Sequence, residues 1–299
     1  MVTSPVFRFA PSPNGALHLG HALSALLNFR LAHSQHGRFL LRIEDIDVER
    51  CTPAFEKAIY DDLNWLGIQW EHPVRRQSEH FSDYDAVLKK LIRENLVYPA
   101  FMSRGDIRAY ISETADHGKS WPRDPDGVPH YPPIDRRLSA RERRKRMASG
   151  APFAWRLDVK GALARISQPI DWTEFLDESL AHSENIDARP ESWGDIVLAR
   201  KDIPTSYHLA VVLDDARQSV THIVRGRDLF HATSIQRLLQ ELLNLPKPSY
   251  FHHRLVLDEN GRKLSKSESD TGLGKLRAAG ATVEDVMRLI GLGAGQELG

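Results

Sequence analysis

The stretch Val6-Phe-Arg-Phe-Ala-Pro-Ser-Pro-Asn-Gly-Ala-Leu-His-Leu-Gly-His21 decides how this chain begins to fold. Its apolar residues alternate at the start, which predicts a short buried strand, and the run 22–31 that follows the turn has helical spacing. A strand that enters a helix through a tight turn presents free backbone N–H groups, and these groups bind anions. His18 and His21 flank Gly20 at this point, so we expect them to donate to phosphate oxygens beside a glycine that permits close approach. A histidine here can also simply cap its helix.

The composition excludes several classes of protein. Lys and Arg number 40, as do Asp and Glu, so any surface for nucleic acid must be local rather than global. No segment resembles a signal peptide and no apolar run is long enough to span a bilayer, so we expect no membrane partner. The single cysteine, Cys51, excludes intrachain disulfides and fits the reducing cytoplasm.

The next elements continue the strand and helix of the opening stretch. We expect the helix to stop at Gly37 in a left-handed cap, and the run 38–45 to form a second strand. Strand, helix and strand within some forty residues predict a parallel sheet with a right-handed crossover. Thr52 and Pro53 then begin another helix as N-cap and first helical residue, and Gly67 ends it.

The region from about residue 98 to residue 149 has a different character. The segment 121–133 is dense in turn formers and cannot be a central strand. The segment 136–146 is strongly basic with helical character, and this pattern is typical either of a solvated helix face or of a surface that contacts nucleic-acid phosphates. We interpret the whole region as an insertion between two halves of one α/β sheet.

The second half of the chain returns to strand-like patterns. Periodicity does not decide whether 210–215 is strand or helix. We expect strands at 153–159, 195–199 and 221–225, a hairpin from 251 to 267 with its turn at 258–261, and a last helix at 282–289.

Two short motifs acquire meaning from their order. His18-Leu-Gly-His21 and Lys263-Leu-Ser-Lys-Ser267 are each weak signals, but they bracket an interrupted parallel α/β domain. Together they resemble the HIGH and KMSKS signatures of the class I aminoacyl-tRNA synthetases. Four further segments resemble glutamyl-tRNA synthetase within that class: Arg8-Phe-Ala-Pro-Ser-Pro-Asn-Gly15, Leu41-Arg-Ile-Glu-Asp-Ile-Asp47, Tyr207-His-Leu-Ala-Val-Val-Leu-Asp-Asp215 and His222-Ile-Val-Arg-Gly226.

The resemblance implies an α/β fold with the Rossmann-type parallel sheet of class I synthetases, an inserted lobe and a short helical C-terminal region, without an anticodon-binding domain. The expected boundaries are 1–97 for the first half of the catalytic domain, 98–152 for the inserted, acceptor-binding-like lobe, 153–245 for the second half, and 246–299 for the lysine loop with a stem-contact-like region.

The implied activity is ATP-dependent activation of L-glutamate to glutamyl-adenylate. The chain resembles the shortened paralogues of glutamyl-tRNA synthetase, which implies transfer of glutamate to the queuosine of the tRNA(Asp) anticodon by a cytoplasmic monomer. Two alternatives remain open: a compact glutamyl-tRNA synthetase that charges the 3′ end of tRNA(Glu), and a catalytically inactive RNA-binding paralogue.

The resemblance assigns the ATP site to both motifs. His18, Gly20, His21 and Lys266 would bind ATP with its Mg²⁺, and the catalytic residues would be His18, His21, Lys263 and Lys266. Attack of a carboxylate on the α-phosphate accumulates negative charge, which donors and cations stabilise, and a lysine on a loop supplies a mobile point charge.

Glutamate binding is carried over onto a second set of residues. Two arginines and one acidic residue complement a substrate with two carboxylates and one ammonium group, and Glu44 is expected to face the ammonium. Sequence does not decide which arginine takes the side-chain carboxylate. The set is Arg8, Phe9, Ala10, Pro11, Ser12, Glu44, Tyr207 and Arg225.

One departure from the family concerns zinc. Many members carry a zinc site in the insertion with a Cys-x-Cys pair and a later Tyr-x-x-x-Cys. The corresponding positions here are Ala100, Met102, Tyr131 and Asp135, and Ala and Met cannot replace thiolates as zinc ligands. We therefore expect no structural zinc and no other resident metal.

Overall fold

The central feature of the fold is a seven-stranded sheet. The computed structural model describes residues 4–115, 120–257 and 272–293. The strands of this sheet are β1 (Val6–Phe9), β2 (Arg38–Ile43), β3 (Glu71–Arg76), β6 (Asp171–Phe175), β7 (Ser183–Asp187), β9 (His222–Gly226) and β10 (Ser249–His253). Their order is β3-β2-β1-β9-β10-β6-β7, and every neighbouring pair is parallel except β6 with β7. The predicted parallel α/β sheet is confirmed.

A second, three-stranded sheet is antiparallel. It contains β4 (Val97–Ala100), β5 (Ala154–Leu157) and β8 (Val197–Arg200), in the order β4-β5-β8. The strands expected at 153–159 and 195–199 therefore form, but they pair with each other and with β4 instead of extending the parallel sheet. Alternating apolar residues predict a strand, whereas its partners depend on the rest of the fold.

Ten helices cover the sheets in the described ranges. They are α1 (Leu19–Ser34), α2 (Pro53–Trp65), α3 (Phe81–Arg93), α4 (Arg104–Ala115), α5 (Ala140–Ala148), α6 (Val159–Leu163), α7 (Tyr207–Arg217), α8 (Ala232–Leu243), α9 (Leu273–Ala278) and α10 (Val283–Leu289). The undecided segment 210–215 is part of helix α7. The predicted hairpin begins with β10, and its turn and second arm lie outside the described residues. Of these helices, none has the length and apolarity to cross a membrane.

Helix α1 lies in the main core. Apolar residues surround it, which is the pattern of a helix buried on all sides, and it packs against α10 as well as against β1. Buried Asn28 joins it to the sheet, because its side-chain amide donates to Ser24 O at 2.8 Å and to Val224 O of β9 at 2.9 Å. One side chain thus connects the first helix to the strand that carries Arg225.

The end of α1 corrects one prediction. The left-handed residue is His36, with φ of 48°, and not Gly37. Gly37 meets a different requirement, since a Cβ atom there would lie 2.5 Å from the carbonyl oxygen of Pro5. Close backbone approach therefore requires this glycine. The caps of α2 are as predicted: Thr52 accepts from Phe55 N at 3.3 Å, and Gly67 has a φ of 74°.

Candidate active site

A cavity of about 460 Å³ opens at the carboxyl ends of the central parallel strands, where open α/β sheets bind ligands. Lys263 and Lys266 lie outside the described residues. The other predicted site residues all line the cavity: Arg8, Phe9, Ala10, Pro11, Ser12, His18, Gly20, His21, Glu44, Tyr207 and Arg225. The fold therefore brings together side chains that are more than two hundred positions apart in the chain.

Two histidines cap the N-terminus of α1 at one side of this cavity. His18 Nδ1 accepts from Gly20 N at 3.1 Å, and His21 Nδ1 accepts from His18 N at 3.1 Å. The rings are 3.9 Å apart. A neutral imidazole that accepts at Nδ1 carries its proton on Nε2, and an N–H group of this kind is chemically able to donate to an anion. Capping and phosphate binding are thus compatible functions of the same side chains.

Gly20 is required by this cap. A Cβ atom at Gly20 would lie 2.9 Å from Cε1 of His18, so a side chain would displace the capping ring. The sequence predicts close approach of a ligand at this position, and the structure supplies a second reason, internal to the protein, for glycine.

Arg8, Arg42, Glu44 and Asp215 form a charged cluster beside the cavity. Arg8 Nε donates to Asp215 Oδ1 at 3.1 Å, and Arg42 donates to the same oxygen at 2.8 Å and to Glu44 Oε1 at 3.0 Å. Arg42 is fully buried. Within the described ranges the side chain of Arg8 makes no other hydrogen bond, so its two terminal amino groups remain for a ligand.

The two carboxyl groups of the charged cluster respond differently to burial. Burial raises the pKa of Glu44 above its ordinary value, although the charge of Arg42 opposes the shift. Burial acts in the same direction on Asp215, but the charges of Arg8 and Arg42 outweigh it and hold its pKa below the ordinary value. Asp215 is therefore the firmly ionised member.

Arg225 is held in a neutral cluster with Thr233, Gln236 and His252. Its side chain, 5% exposed, donates to Gln236 Oε1 at 2.8 Å, to Thr233 Oγ1 at 2.7 Å and to His252 Nε2 at 3.1 Å. Among the described residues no carboxylate contacts this guanidinium. Its positive charge is thus left for an anionic ligand in the cavity.

Sequence reasoning missed the residues behind the two arginines. Arg42 and Asp215 lie in segments that carry the family resemblance, which was a usable signal. Thr233, Gln236 and His252 gave none, because their proximity to Arg225 depends on the positions of α8 and β10 beside β9.

The positions expected for zinc ligands form a polar contact instead. The Tyr131 hydroxyl donates to Asp135 and accepts from Met102 N at 3.0 Å, while Asp135 also accepts from Phe101 N at 2.6 Å. Arg146 Nη1 lies 3.2 Å from the other carboxylate oxygen of Asp135. These bonds link the segment that follows β4 to α5 through the side chains of Tyr131 and Asp135. The absence of zinc stays a prediction.

Comparison with known proteins identifies the family. The sequence model described as "tRNA synthetases class I (E and Q), catalytic domain" matches residues 5–294. The chain belongs to this family. It is therefore a synthetase-type ligase, as the order of its motifs predicted, and family membership confirms the expected fold class.

Three individual synthetases are similar to this chain over most of its length. A protein named glutamyl-Q tRNA(Asp) synthetase from Rhodobacter capsulatus is 44% identical over 96% of this chain and 100% of its own length. Another of that name from Symbiobacterium thermophilum is 38% identical over 94% of this chain and 83% of its own. A glutamate–tRNA ligase from Hydrogenobaculum sp. is 35% identical, and the match covers 87% of this chain and 52% of the ligase.

A solved structure of the same family agrees with the fold. The glutamate tRNA ligase from Elizabethkingia meningosepticum, in complex with its amino acid, aligns with a TM-score of 0.70 at 26% identity. The alignment covers 89% of this chain and 53% of that ligase.

Proposed function

We propose that this protein activates L-glutamate with ATP and transfers the glutamyl group to the queuosine of tRNA(Asp). The observation that carries the proposal is the shared cavity, where the anion-binding start of α1 lies with two arginines and one carboxylate. The full-length match to the Rhodobacter capsulatus synthetase supports the choice of acceptor.

The first step is adenylate formation. A carboxylate oxygen of glutamate attacks the α-phosphorus of ATP, a new P–O bond forms, and the bond to pyrophosphate breaks without net proton transfer. The Nε2–H groups of His18 and His21 and the N–H groups of α1 bind the phosphates, and Lys263 and Lys266 neutralise the departing pyrophosphate. ATP enters as its Mg²⁺ complex. ATP and tRNA are found in the cytoplasm, and we expect the protein to act there as a monomer.

We use the balance of charges to assign each end of glutamate to one side of the cavity. The charged cluster has two cations and two carboxylates, so its net charge is zero and it suits the zwitterionic amino-acid end, with Glu44 facing the ammonium. Arg225 lacks a carboxylate in contact within the described ranges and suits the remaining charge, the side-chain carboxylate. Glutamine would present a neutral amide whose NH₂ group opposes another donor.

Two assays test the function. ATP–pyrophosphate exchange with glutamate, glutamine and aspartate, each without tRNA, is expected to proceed only with glutamate. Transfer of radiolabelled glutamate to tRNA(Asp) is expected to require queuosine, and RNase mapping should place the label in the anticodon fragment. Label at the 3′ end of tRNA(Glu) would instead establish the compact glutamyl-tRNA synthetase, and no exchange under any condition would establish the inactive paralogue.

Helix α5 supplies a surface for the RNA. Arg143 and Arg146 have partners within the chain, because Arg143 donates to Arg136 O and Arg146 pairs with Asp135. Arg141, Arg144 and Lys145 are exposed and pair with no acidic side chain in the part of the chain that the structure describes. Basic side chains without internal partners suit phosphate contacts.

Charge reversal tests this surface. The variant R141E/R144E/K145E is expected to weaken tRNA binding and to lower the slope of log affinity against log salt by about 2 to 3, one contact per side chain. The control K89E/K90E reverses two exposed charges on α3 and should leave the slope unchanged. Equal slopes for both variants would assign α5 to the solvated-face alternative.

A further inference from the structure

We infer that Glu174 and His252 are positioning residues that aim Arg225 into the cavity. The inference deepens the proposed function, on which its kinetic part rests. Arg225, His252 and Glu174 lie on the adjacent strands β9, β10 and β6. His252 is paired directly with Arg225 in the parallel register, so a chain of side chains crosses three strands of the sheet.

The first link fixes the proton of His252. Arg225 Nε donates to His252 Nε2 at 3.1 Å, and a guanidinium has no acceptor. Nε2 must therefore be unprotonated, which places the single proton of the neutral imidazole on Nδ1.

The second link selects that tautomer. His252 Nδ1 lies 2.8 Å from Glu174 Oε2, so its N–H donates to the carboxylate. Glu174 is itself held by two more donors, His252 N at 2.9 Å and Trp172 Nε1 at 2.9 Å. A carboxylate with three donors cannot rotate freely, and it fixes the ring to which it is bonded.

Glu174 and His252 differ from ordinary core residues because both are polar and both are buried. Glu174 and His252 are each 6% exposed, and Trp172 is 1% exposed. Burying a carboxylate is costly, and an apolar residue would fill the same space without that cost. Burial also lowers the pKa of His252 to about 4, so the ring is neutral at pH 7. A neutral ring orients Arg225 without cancelling its charge.

Kinetics test the inference in the full-length enzyme. Glu174→Gln replaces one acceptor oxygen with a donor group and should raise the KM for glutamate about tenfold, the effect of displacing one charge-assisted hydrogen bond, with kcat and the KM for ATP within about threefold. Discrimination against glutamine should fall in parallel. His252→Leu should act more strongly than His252→Gln, since glutamine retains an acceptor for Arg225.

Glu184→Gln is the matched control. Glu184 faces Glu174 across the β6–β7 pair and is exposed, so its replacement should leave every kinetic constant unchanged. A Glu174→Gln enzyme with the same glutamate KM as the Glu184→Gln enzyme would overturn the inference.

A spectroscopic readout separates this inference from the proposed function. Nitrogen-15 NMR of the imidazoles, with His252→Gln to assign the signals, should show His252 protonated on Nδ1 and bare on Nε2 at pH 7. The Glu174→Gln variant should lose this preference. The opposite tautomer in the wild-type protein would refute the link even if glutamate is activated, whereas failure of exchange with the expected tautomer would refute only the proposed function.

Discussion

The two sides of the cavity hold an arginine in opposite ways. Arg8 shares a carboxylate, Asp215, with fully buried Arg42, and the charged cluster is balanced internally. Arg225 is held by the neutral cluster of a hydroxyl, an amide and an imidazole. In the first arrangement the buried ions have oppositely charged partners, and removal of one partner would destabilise the protein. The second keeps a positive charge available for a ligand. The contrast teaches that neutral acceptors leave the positive charge of Arg225 uncompensated for a ligand, whereas Arg8, paired with Asp215, offers its remaining N–H donors with its charge already balanced.

Replacing Arg42 should give the largest change in stability. Arg42→Met leaves Asp215 and Glu44 without their shared cation, and breaking a buried pair costs about 3–5 kcal/mol of unfolding free energy. Urea denaturation measures the loss. Arg38→Met on the same strand removes an exposed pair with Glu71 and should cost about 0–1 kcal/mol. Equal losses for the two variants would contradict the charged cluster.

Replacing Arg225 should affect activity more than stability. Arg225→Met deprives no carboxylate of a direct ion partner in the described ranges, so the cost in unfolding free energy is about 1–3 kcal/mol, while glutamate-dependent exchange falls about a hundredfold or more. Arg217→Met removes an exposed arginine of α7 and should change neither quantity. An Arg225→Met enzyme with a normal glutamate KM would place the side-chain carboxylate elsewhere.

Acid should destabilise the protein through His252 of the neutral cluster. Because the pKa of His252 is about 4 when folded and about 6.5 when unfolded, the unfolded state binds more protons in this interval. Unfolding free energy should thus fall as pH decreases from about 6.5 towards 4, by about 1 kcal/mol per pH unit.

Protonation of Glu174 should also lower the unfolding free energy as the pH decreases, but at a lower pH than protonation of His252. The hydrogen bonds from His252 outweigh burial and lower the pKa of Glu174, so its stabilising effect is lost only below the usual range of a glutamate. Urea titrations at several pH values should show a flatter profile for His252→Gln than for the wild type. Parallel profiles would mean that His252 does not titrate as the structure indicates.

The smallest expected effect concerns one neutral acceptor. Thr233→Val preserves the shape of the side chain but removes the hydroxyl that accepts from Arg225 at 2.7 Å. We expect a loss of about 1 kcal/mol in urea denaturation and a severalfold rise in the glutamate KM. Thr205→Val, which removes a buried hydroxyl bonded only to a neighbouring carbonyl in the described structure, tests whether the KM effect is specific.

The sequence predicted the residues that line the cavity better than the residues that hold Arg225 from behind. Arg8 and Glu44 lie in predicted strands and His18 lies at the start of a predicted helix, so local patterns and the family resemblance located them. Glu174 and His252 could not be found this way, because strand order and register bring them to Arg225. The local sequence specifies neither the strand order nor the register.

Predictions about individual helices and strands were wrong for the same reason, because they depend on contacts between distant parts of the chain. Gly37 is required by contact with Pro5, a neighbour across the parallel pair, whereas the pattern suggested a helix cap. The separate three-stranded sheet likewise depends on β4 as the partner of β5. Local periodicity predicted that these strands exist, and tertiary packing decided where they belong.

Asn28 has a consequence for the length of substrate that the cavity accepts. Its amide joins α1, whose first turn lines the cavity, to β9, which carries Arg225. The span between the two is therefore built into the fold before any ligand arrives. A fixed distance of this kind limits the length of the amino acid that can contact both ends of the cavity. On the proposed function, we expect aspartate, one methylene shorter than glutamate, to be a poor substrate, because its two carboxylates span a shorter distance between the start of α1 and Arg225.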